Sequence, residues 1–475
     1  MGEEIKLGLT FDDVLLIPKK SSVKSRKEIV LKTRLTKNIE MNMPLISANM
    51  DTVTEHKMAV VLARAGGIGI IHRYLTVEDQ VSEVLKVKRS ESMMVEDPYT
   101  LSKDHTIAEA KQFMKENGVG GLLIVDDKEK LAGILSKRDI LFAVEDKKVS
   151  EVMTKNSSMV TVSEKISFEK ARKILHENRI EKLPVVDKDN NILGLITSKD
   201  LRKAKQHPQA LKDKKGRLMV GAAIGVKQGF LERARELVLA GVDVLVIDIA
   251  HGHSELALNA LKEIKKNLDI DVIVGNVATV EGVKDLAIAG ADAIKVGVGP
   301  GSICTTRIVS GSGYPQLSAI MECSKEAKKH DIPIIADGGI KTSGDLAKAL
   351  AAGASSSMMG NLFAGTDEAP GLTILKNGRK YKVSRGMASF GAALGRKEKQ
   401  KQEEEVSDIV PEGVEAMVPY KGSADEVIRQ LLGGLRSGIS YCGSKDIPEM
   451  QSNAEFVRIT NSGMRESKPH DVDLV

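Results

Sequence analysis

The residues with most chemistry in this sequence lie in Lys295-Val-Gly-Val-Gly-Pro-Gly-Ser-Ile-Cys304-Thr-Thr-Arg307. The β-branched run from Ala293 to Val296 reads as a strand. It breaks into Gly297, Gly299, Pro300 and Gly301 and delivers one cysteine. Glycines allow φ > 0 and a close approach of backbone to a ligand. Exposed N–H and C=O groups on such a loop can hold an anion or coordinate a cation. A cysteine presented there is a candidate nucleophile where its thiolate is favoured. A Gly-rich turn carrying a buried, inert thiol is the alternative reading, since free cysteine is mostly a small hydrophobe.

A cysteine loop needs a scaffold, and the 475 residues suffice for more than one domain. Aromatic residues make up only 3% and tryptophan is absent, so the core must be aliphatic. A net charge of +5 argues against a nucleic-acid binder and suits phosphate-bearing small ligands. Cys304, Cys323 and Cys442 are too scattered for a disulfide framework. No apolar run approaches the ~20 residues of a membrane span, and the N-terminus lacks a signal-peptide apolar region. The chain reads as soluble and cytoplasmic, with no nucleic-acid or membrane partner.

Buried strands are predicted at Pro44 to Met50, Gly66 to His72, Leu218 to Ile224, Val242 to His251, Asp271 to Asn276, Ala293 to Val296, Pro333 to Gly339 and Ser355 to Gly360. Helical stretches separate them, the rhythm of a parallel sheet flanked by helices. Eight β/α units predict an α/β fold, a TIM (β/α)8 barrel. Ser47, Asn49, Asp248, His251, Asn276, Cys304, Asp337, Gly338, Gly339, Gly360 and Asn361 gather at strand C-termini, the catalytic face of that fold. Ordinary β-to-α turns also favour Gly and Asn. The Gly338-Gly339 and Gly360-Asn361 amides, after the last two strands, suit a phosphate.

Between about Glu91 and Lys205 the rhythm stops and an ungapped internal repeat appears. Thr100 matches Thr161, Ala110 matches Ala171, Gly133 matches Gly194 and Asp139 matches Asp200, at one constant offset. Each copy reads helix, strand, turn, strand, helix, so two units share a buried face. The pair resembles tandem CBS domains, here 91–147 and 148–205, inserted into a barrel formed by 1–90 and 206–475. That resemblance implies adenine or guanine nucleotides as ligands, contacted at Ser136-Lys-Arg-Asp139 and Thr197-Ser-Lys-Asp200. A structural insertion without a ligand is the alternative.

Gly-Pro-Gly-Ser-Ile-Cys304-Thr-Thr-Arg closely resembles the active-site loop of the IMP dehydrogenase/GMP reductase family, and the likeness runs from Phe11-Asp12-Asp13 to Glu466. The resemblance implies an NAD-dependent oxidation of IMP to XMP, with Cys304 attacking C2 of the purine. It implies that Ser302, Asp337, Gly338, Gly339, Gly360, Asn361, Glu412 and the segment Ser384, Arg385, Gly386, Met387, Ala388 hold the nucleotide. Asp248, Gly297, Val298 and Gly299 would contact NAD. A potassium ion would sit on carbonyls of Gly299, Gly301 and Cys304, with Glu466, Ser467 and Lys468 of a neighbouring subunit. The family's assemblies are homotetramers, or octamers through the inserted module.

A mobile flap over about 384–420 should complete the site, and here the sequence departs from the family. The Arg-Tyr pair that serves hydrolysis in IMP dehydrogenases falls on Lys399 and Gln400. An ammonium does not replace a planar guanidinium. Thr306 with Glu412 is then the alternative base route. Asn361 replaces the usual serine of a Gly-Ser pair. The charge run Gly395 to Glu405 lacks apolar residues and reads as a solvated loop. GMP reductase, using NADPH, is the rival activity: the lost pair and the strings Pro18 to Arg26 and Gly313 to Cys323 lean that way. Phe390, where reductases carry glutamate, and Ala364-Gly-Thr-Asp-Glu-Ala-Pro370 lean to the dehydrogenase. A non-catalytic nucleotide sensor is the third reading, opposed by the intact Cys304-Thr-Thr.

Overall fold

The computed structural model describes residues 5–91, 94–95, 98–163, 166, 168–400 and 410–472, without the side chains of 168, 200, 203–205 and 396–400. The backbone divides into two compact units, 1–90 with 209–213 and 218–475, and 91–208 with 214–217.

The larger unit is a closed barrel of eight strands: β1 (Leu45–Ser47), β2 (Ile68–Ile71), β3 (Gly221–Ile224), β4 (Val244–Asp248), β5 (Asp271–Val277), β6 (Ala293–Val296), β7 (Ile334–Asp337) and β8 (Ser356–Met359). Every neighbouring pair is parallel, and β8 closes onto β1. The sequence expectation of a (β/α)8 barrel therefore holds.

Alternation along the strands divides the apolar residues into two layers. Val244 and Val246 of β4, Ala293 of β6, Ile335 of β7 and Met358 of β8 fill the barrel with Ile46, Ile68, Ile70, Ala223 and Ile273. Leu35, Met41, Leu211 and Met219 join that cluster from segments outside the eight strands. Leu245, Ile247, Ile294 and Val296 point outward into a second, larger cluster with the helices. At the next inward position of β4, β6 and β7 the apolar series stops. Asp248, Lys295 and Asp337 stand there instead, at the C-terminal mouth.

The outer helices include α1 (His56–Ala65), α2 (Val77–Ser90), α3 (Phe230–Leu239), α4 (Glu255–Asn267), α5 (Val280–Ile288), α6 (Gln316–Lys329), α7 (Ser343–Ala351) and α8 (Ala424–Tyr441). Among the described residues no helix is long and apolar enough to cross a membrane. The smaller unit carries the repeat. Gly121–Val125 pairs antiparallel with Leu131–Ser136, and Lys182–Val186 with Ile192–Thr197. Each ladder shifts register at the matching place, before Val125 and before Val186. The copies have separate cores and share a third, formed by Leu123, Leu131, Val186 and Leu195.

Two segments differ from the sequence expectation. The charge run begins within a helix, Phe390–Gln400, whose start is fixed by buried Ala392 and by Ser389 Oγ accepting from the Ala392 N–H. Residues 401–409 lie outside the described residues. Adjacent glycines ordinarily weaken a helix, yet α8 passes through Gly433-Gly434 and runs on to Tyr441. A Cβ at Gly434 would overlap the Ser343 side chain, and one at Gly438 would lie 2.8 Å from the Ala347 Cβ. These glycines let α8 lie close on α7. Gly433, next to them, has nothing within 4 Å of its would-be Cβ.

That contrast sets a paired test. Gly434→Ala should destabilise the protein by about 1–3 kcal/mol through overpacking. Gly433→Ala should stabilise it by roughly 0.5–1 kcal/mol through helix propensity. Urea midpoints of the two variants against the parent read both signs.

Candidate active site

A buried ammonium sits at the centre of the barrel mouth. Lys295, 2% exposed, donates from Nζ to Asp248 Oδ1 at 2.9 Å and to Asp337 Oδ2 at 2.6 Å. Gly275 on β5 makes room for it, since a Cβ there would lie 2.6 Å from the Lys295 Cβ. Burial alone pulls the Lys295 pKa down, but the two carboxylates outweigh it and hold it above that of ordinary lysine. Burial likewise pushes the Asp248 carboxyl up, and the Lys295 charge and hydrogen bond, with Arg73 and an Asn49 bond, together reverse that, leaving it below the usual range. Asn276 Nδ2 adds bonds to Asp337 Oδ2 at 3.0 Å and to the Gly297 carbonyl at 2.7 Å.

The cysteine loop is built on this cluster. Gly297 has φ 152°, and a Cβ there would overlap the Asp337 carbonyl. At Gly299 a Cβ would meet the Arg307 side chain, 2.8 Å from its Nε. Arg307 in turn donates to the carbonyls of Val298 and Tyr314. At Gly338 a Cβ would lie 2.9 Å from Pro300. These glycines therefore serve contact between the loop and neighbouring protein, rather than only close approach to a ligand.

Cys304 is partly exposed at the end of the loop. Its thiol donates to Thr306 Oγ1 at 3.2 Å, and the Thr306 hydroxyl donates to Glu412 Oε2 at 2.8 Å. The chain thiol, hydroxyl, carboxylate is a path for the thiol proton. Glu412 is fixed by backbone on both sides. Its carbonyl accepts from the Thr305 N–H at 2.9 Å, and its N–H donates to the Ala388 carbonyl at 3.0 Å. The Val414 N–H reaches the Ile303 carbonyl at 3.0 Å.

These groups line one cavity of about 850 Å³. Its wall includes Asp248, Gly297, Val298, Gly299, Gly301, Ser302, Cys304, Thr306, Asp337, Gly338, Gly339, Gly360, Asn361, Gly386, Met387, Ala388 and Glu412. Ser384 and Arg385 are not part of that wall. Ser384 is buried within the strand Arg379–Arg385, which pairs with Glu415–Pro419. Arg385 is engaged by Asp51, to which its Nε donates at 2.7 Å. Lys399 lies in the helix Phe390–Gln400, with its side chain outside the described residues. Glu466, Ser467 and Lys468, at the end of the helix Asn461–Glu466, do not line the cavity either. Sequence reasoning assigned no role to Lys295 or Tyr74. A lysine inside the apolar strand Ala293–Val296 was the available signal for the first; Tyr74 had none.

Lys295→Met should leave two carboxylates facing each other without a cation, at a cost of about 3–5 kcal/mol at pH 7. Asp248 is depressed in the parent, so its stabilisation persists down to the ordinary aspartate range near ~4 and is lost below it. In the variant the unpaired carboxyls prefer the protonated form, so stability rises as pH falls. The gap between the two urea midpoints should therefore narrow from pH 7 to pH 5.

A family model described as the IMP dehydrogenase / GMP reductase domain matches residues 8–470. The inosine-5'-monophosphate dehydrogenase of Nitrosopumilus maritimus is 55% identical, over 99% of this chain and 100% of that protein. The GMP reductase of Leishmania donovani is 50% identical, over 98% and 97% respectively. Among solved structures, a cysteine-to-alanine variant of GMP reductase from Trypanosoma brucei, in complex with guanosine 5'-monophosphate, superposes with a TM-score of 0.93 at 46% identity, over 99% of each chain. With this barrel, this cysteine loop and these full-length relatives, the chain belongs to the IMP dehydrogenase/GMP reductase family and is an oxidoreductase.

Proposed function

We propose that the protein is an IMP dehydrogenase, oxidising IMP to XMP with NAD through a covalent intermediate on Cys304. The observation that carries this reading is the chain from Cys304 through Thr306 to Glu412. It supplies a base where the family's Arg-Tyr pair is replaced by Lys399 and Gln400.

The residues present fit the two ligands. Backbone amides at Gly338-Gly339 and Gly360-Asn361 take the phosphate, and Asp337, aligned by Lys295 and Asn276, takes ribose hydroxyls. Ser302 and Gly386 to Ala388 border the base. Asp248 is a carboxylate suited to the cofactor ribose, beside the backbone of Gly297, Val298 and Gly299. NAD bound there would supply the hydride acceptor.

Cys304 Sγ bonds to C2 of the purine while its proton passes through Thr306 to Glu412. Loss of the C2 hydrogen as hydride leaves a thioimidate on Cys304. Glu412 gives that first proton up to solvent and then, through Thr306, takes a proton from water, whose oxygen adds to C2. The C2–S bond breaks, the sulfur is reprotonated, and XMP is released.

A potassium ion fits the chemistry of the Gly299, Gly301 and Cys304 carbonyls, although the Gly301 carbonyl already accepts from the Cys304 N–H. Because Glu466, Ser467 and Lys468 lie away from their own chain's cavity, their share of the site implies a neighbouring copy, as in a homotetramer. In the inserted CBS-like pair, Asp139 Oδ2 accepts from both the N–H and the hydroxyl of Ser136, a preformed turn for a nucleotide ribose.

A second reading, GMP reductase using NADPH, is favoured by the lost Arg-Tyr pair and by the GMP reductase relatives. Assays of the purified protein with potassium separate the two. Sustained appearance of NADH from IMP and NAD is expected. A single turnover there, with steady NADPH consumption on GMP, would establish the reductase instead.

A further inference from the structure

Tyr74 follows β2 and lines the cavity, yet no step above uses it. It is 6% exposed and held on three sides. Its backbone N–H donates to His72 Nδ1 at 3.2 Å. The Arg73 guanidinium lies over its ring, 5.0 Å from the centroid. Its hydroxyl donates to the Met387 carbonyl at 2.7 Å.

That last bond reaches the middle of Gly386 to Ala388, which lines the cavity and, through the Ala388 carbonyl, holds the Glu412 N–H. Residues 385–387 have further anchors: the Gly386 N–H donates to the Val414 carbonyl at 3.0 Å, Arg385 pairs with Glu415 on the neighbouring strand, and the rest come from the loop after β1. Asp51 holds Arg385 and directs its N–H to Met387 Sδ at 3.4 Å, while Thr52 Oγ1 accepts from the Arg385 N–H at 3.2 Å. Two of these loop contacts act on Arg385, and the third meets only a thioether, a weak acceptor. The Ser389 N–H holds the Gly386 carbonyl and the Glu412 N–H the Ala388 carbonyl; the Tyr74 hydroxyl is the side-chain donor that holds the Met387 carbonyl between them.

We propose that Tyr74 is a positioning residue that sets nucleotide affinity by holding the Met387 carbonyl, and with it the Gly386 to Ala388 wall of the cavity. The inference rests on the nucleotide-binding reading above. A carbonyl deprived of its donor turns to find another, and the wall turns with it.

The test is Tyr74→Phe, which keeps the ring and its Arg73 contact and deletes one hydroxyl. Calorimetric binding of IMP and of GMP to the full chain is read without turnover, beside the melting temperature and the KM for each ligand. Nucleotide affinity should fall by about five- to tenfold, the scale of one lost hydrogen bond. The melting temperature and the KM for the dinucleotide should stay at parent values. Unchanged nucleotide affinity would overturn the proposal. So would a parallel weakening toward nucleotide and dinucleotide with a lowered melting temperature, the mark of a merely structural role. If the parent chain bound neither IMP nor GMP, the functional reading itself would fall.

Discussion

Everything at the mouth of this barrel depends on one ammonium between two carboxylates. Strand alternation aims Asp248, Lys295 and Asp337 at the same axis from β4, β6 and β7. Three charges there would be untenable unless paired, because an isolated ion so placed loses its hydration. Lys295 bonds to both carboxylates, and Asn276 supplies a further donor to Asp337. The result is a fixed carboxylate on each side of the cavity, one toward the proposed nucleotide and one toward the proposed cofactor. Its net charge is negative, which suits hydroxyl-rich ribose rings and would leave the proposed nucleotide's phosphate to the backbone amides after β7 and β8.

The reactive loop inherits its shape from that cluster. Gly297 rests on the Asp337 carbonyl, and Gly338 faces Pro300. From there the loop is tied to 412–414 by backbone hydrogen bonds, and 412–414 to 386–389 by others. Cys304 and its hydroxyl relay thus come from one stretch of chain and the carboxylate from another, and backbone bonds hold both with 386–389 as a single layer. Such preorganisation is what a covalent mechanism needs, since the proton path exists before substrate arrives.

Much of this is legible in the sequence. Eight apolar strands, alternating with helices, spell the barrel, and the constant-offset repeat marks the insertion. The cysteine loop is visible as well, because glycines and a lone thiol after a strand are local signals. What stays hidden depends on contacts between distant residues. Whether Gly297 serves a ligand or the Asp337 carbonyl is decided 40 positions downstream. The helix α8 continues through Gly433-Gly434 because Ser343 and Ala347 on α7 occupy the space beside it, which no propensity rule registers. Ser384 and Arg385 share a segment with cavity residues, but strand pairing and Asp51 turn them to structural use. Lys295 was readable in principle, as a charge in the middle of a buried strand.

The central claim is that Glu412, acting through Thr306, resolves a covalent intermediate on Cys304. It is tested most directly by mixing Glu412→Gln with IMP and NAD and following both the NADH formed and the intact-protein mass. The account predicts about one NADH per chain, formed more slowly than in the parent because the Cys304 proton has lost its acceptor, then a stall, with one nucleotide's mass added on the peptide containing Cys304. Sustained turnover at the parent rate, with no nucleotide retained on Cys304, would contradict it.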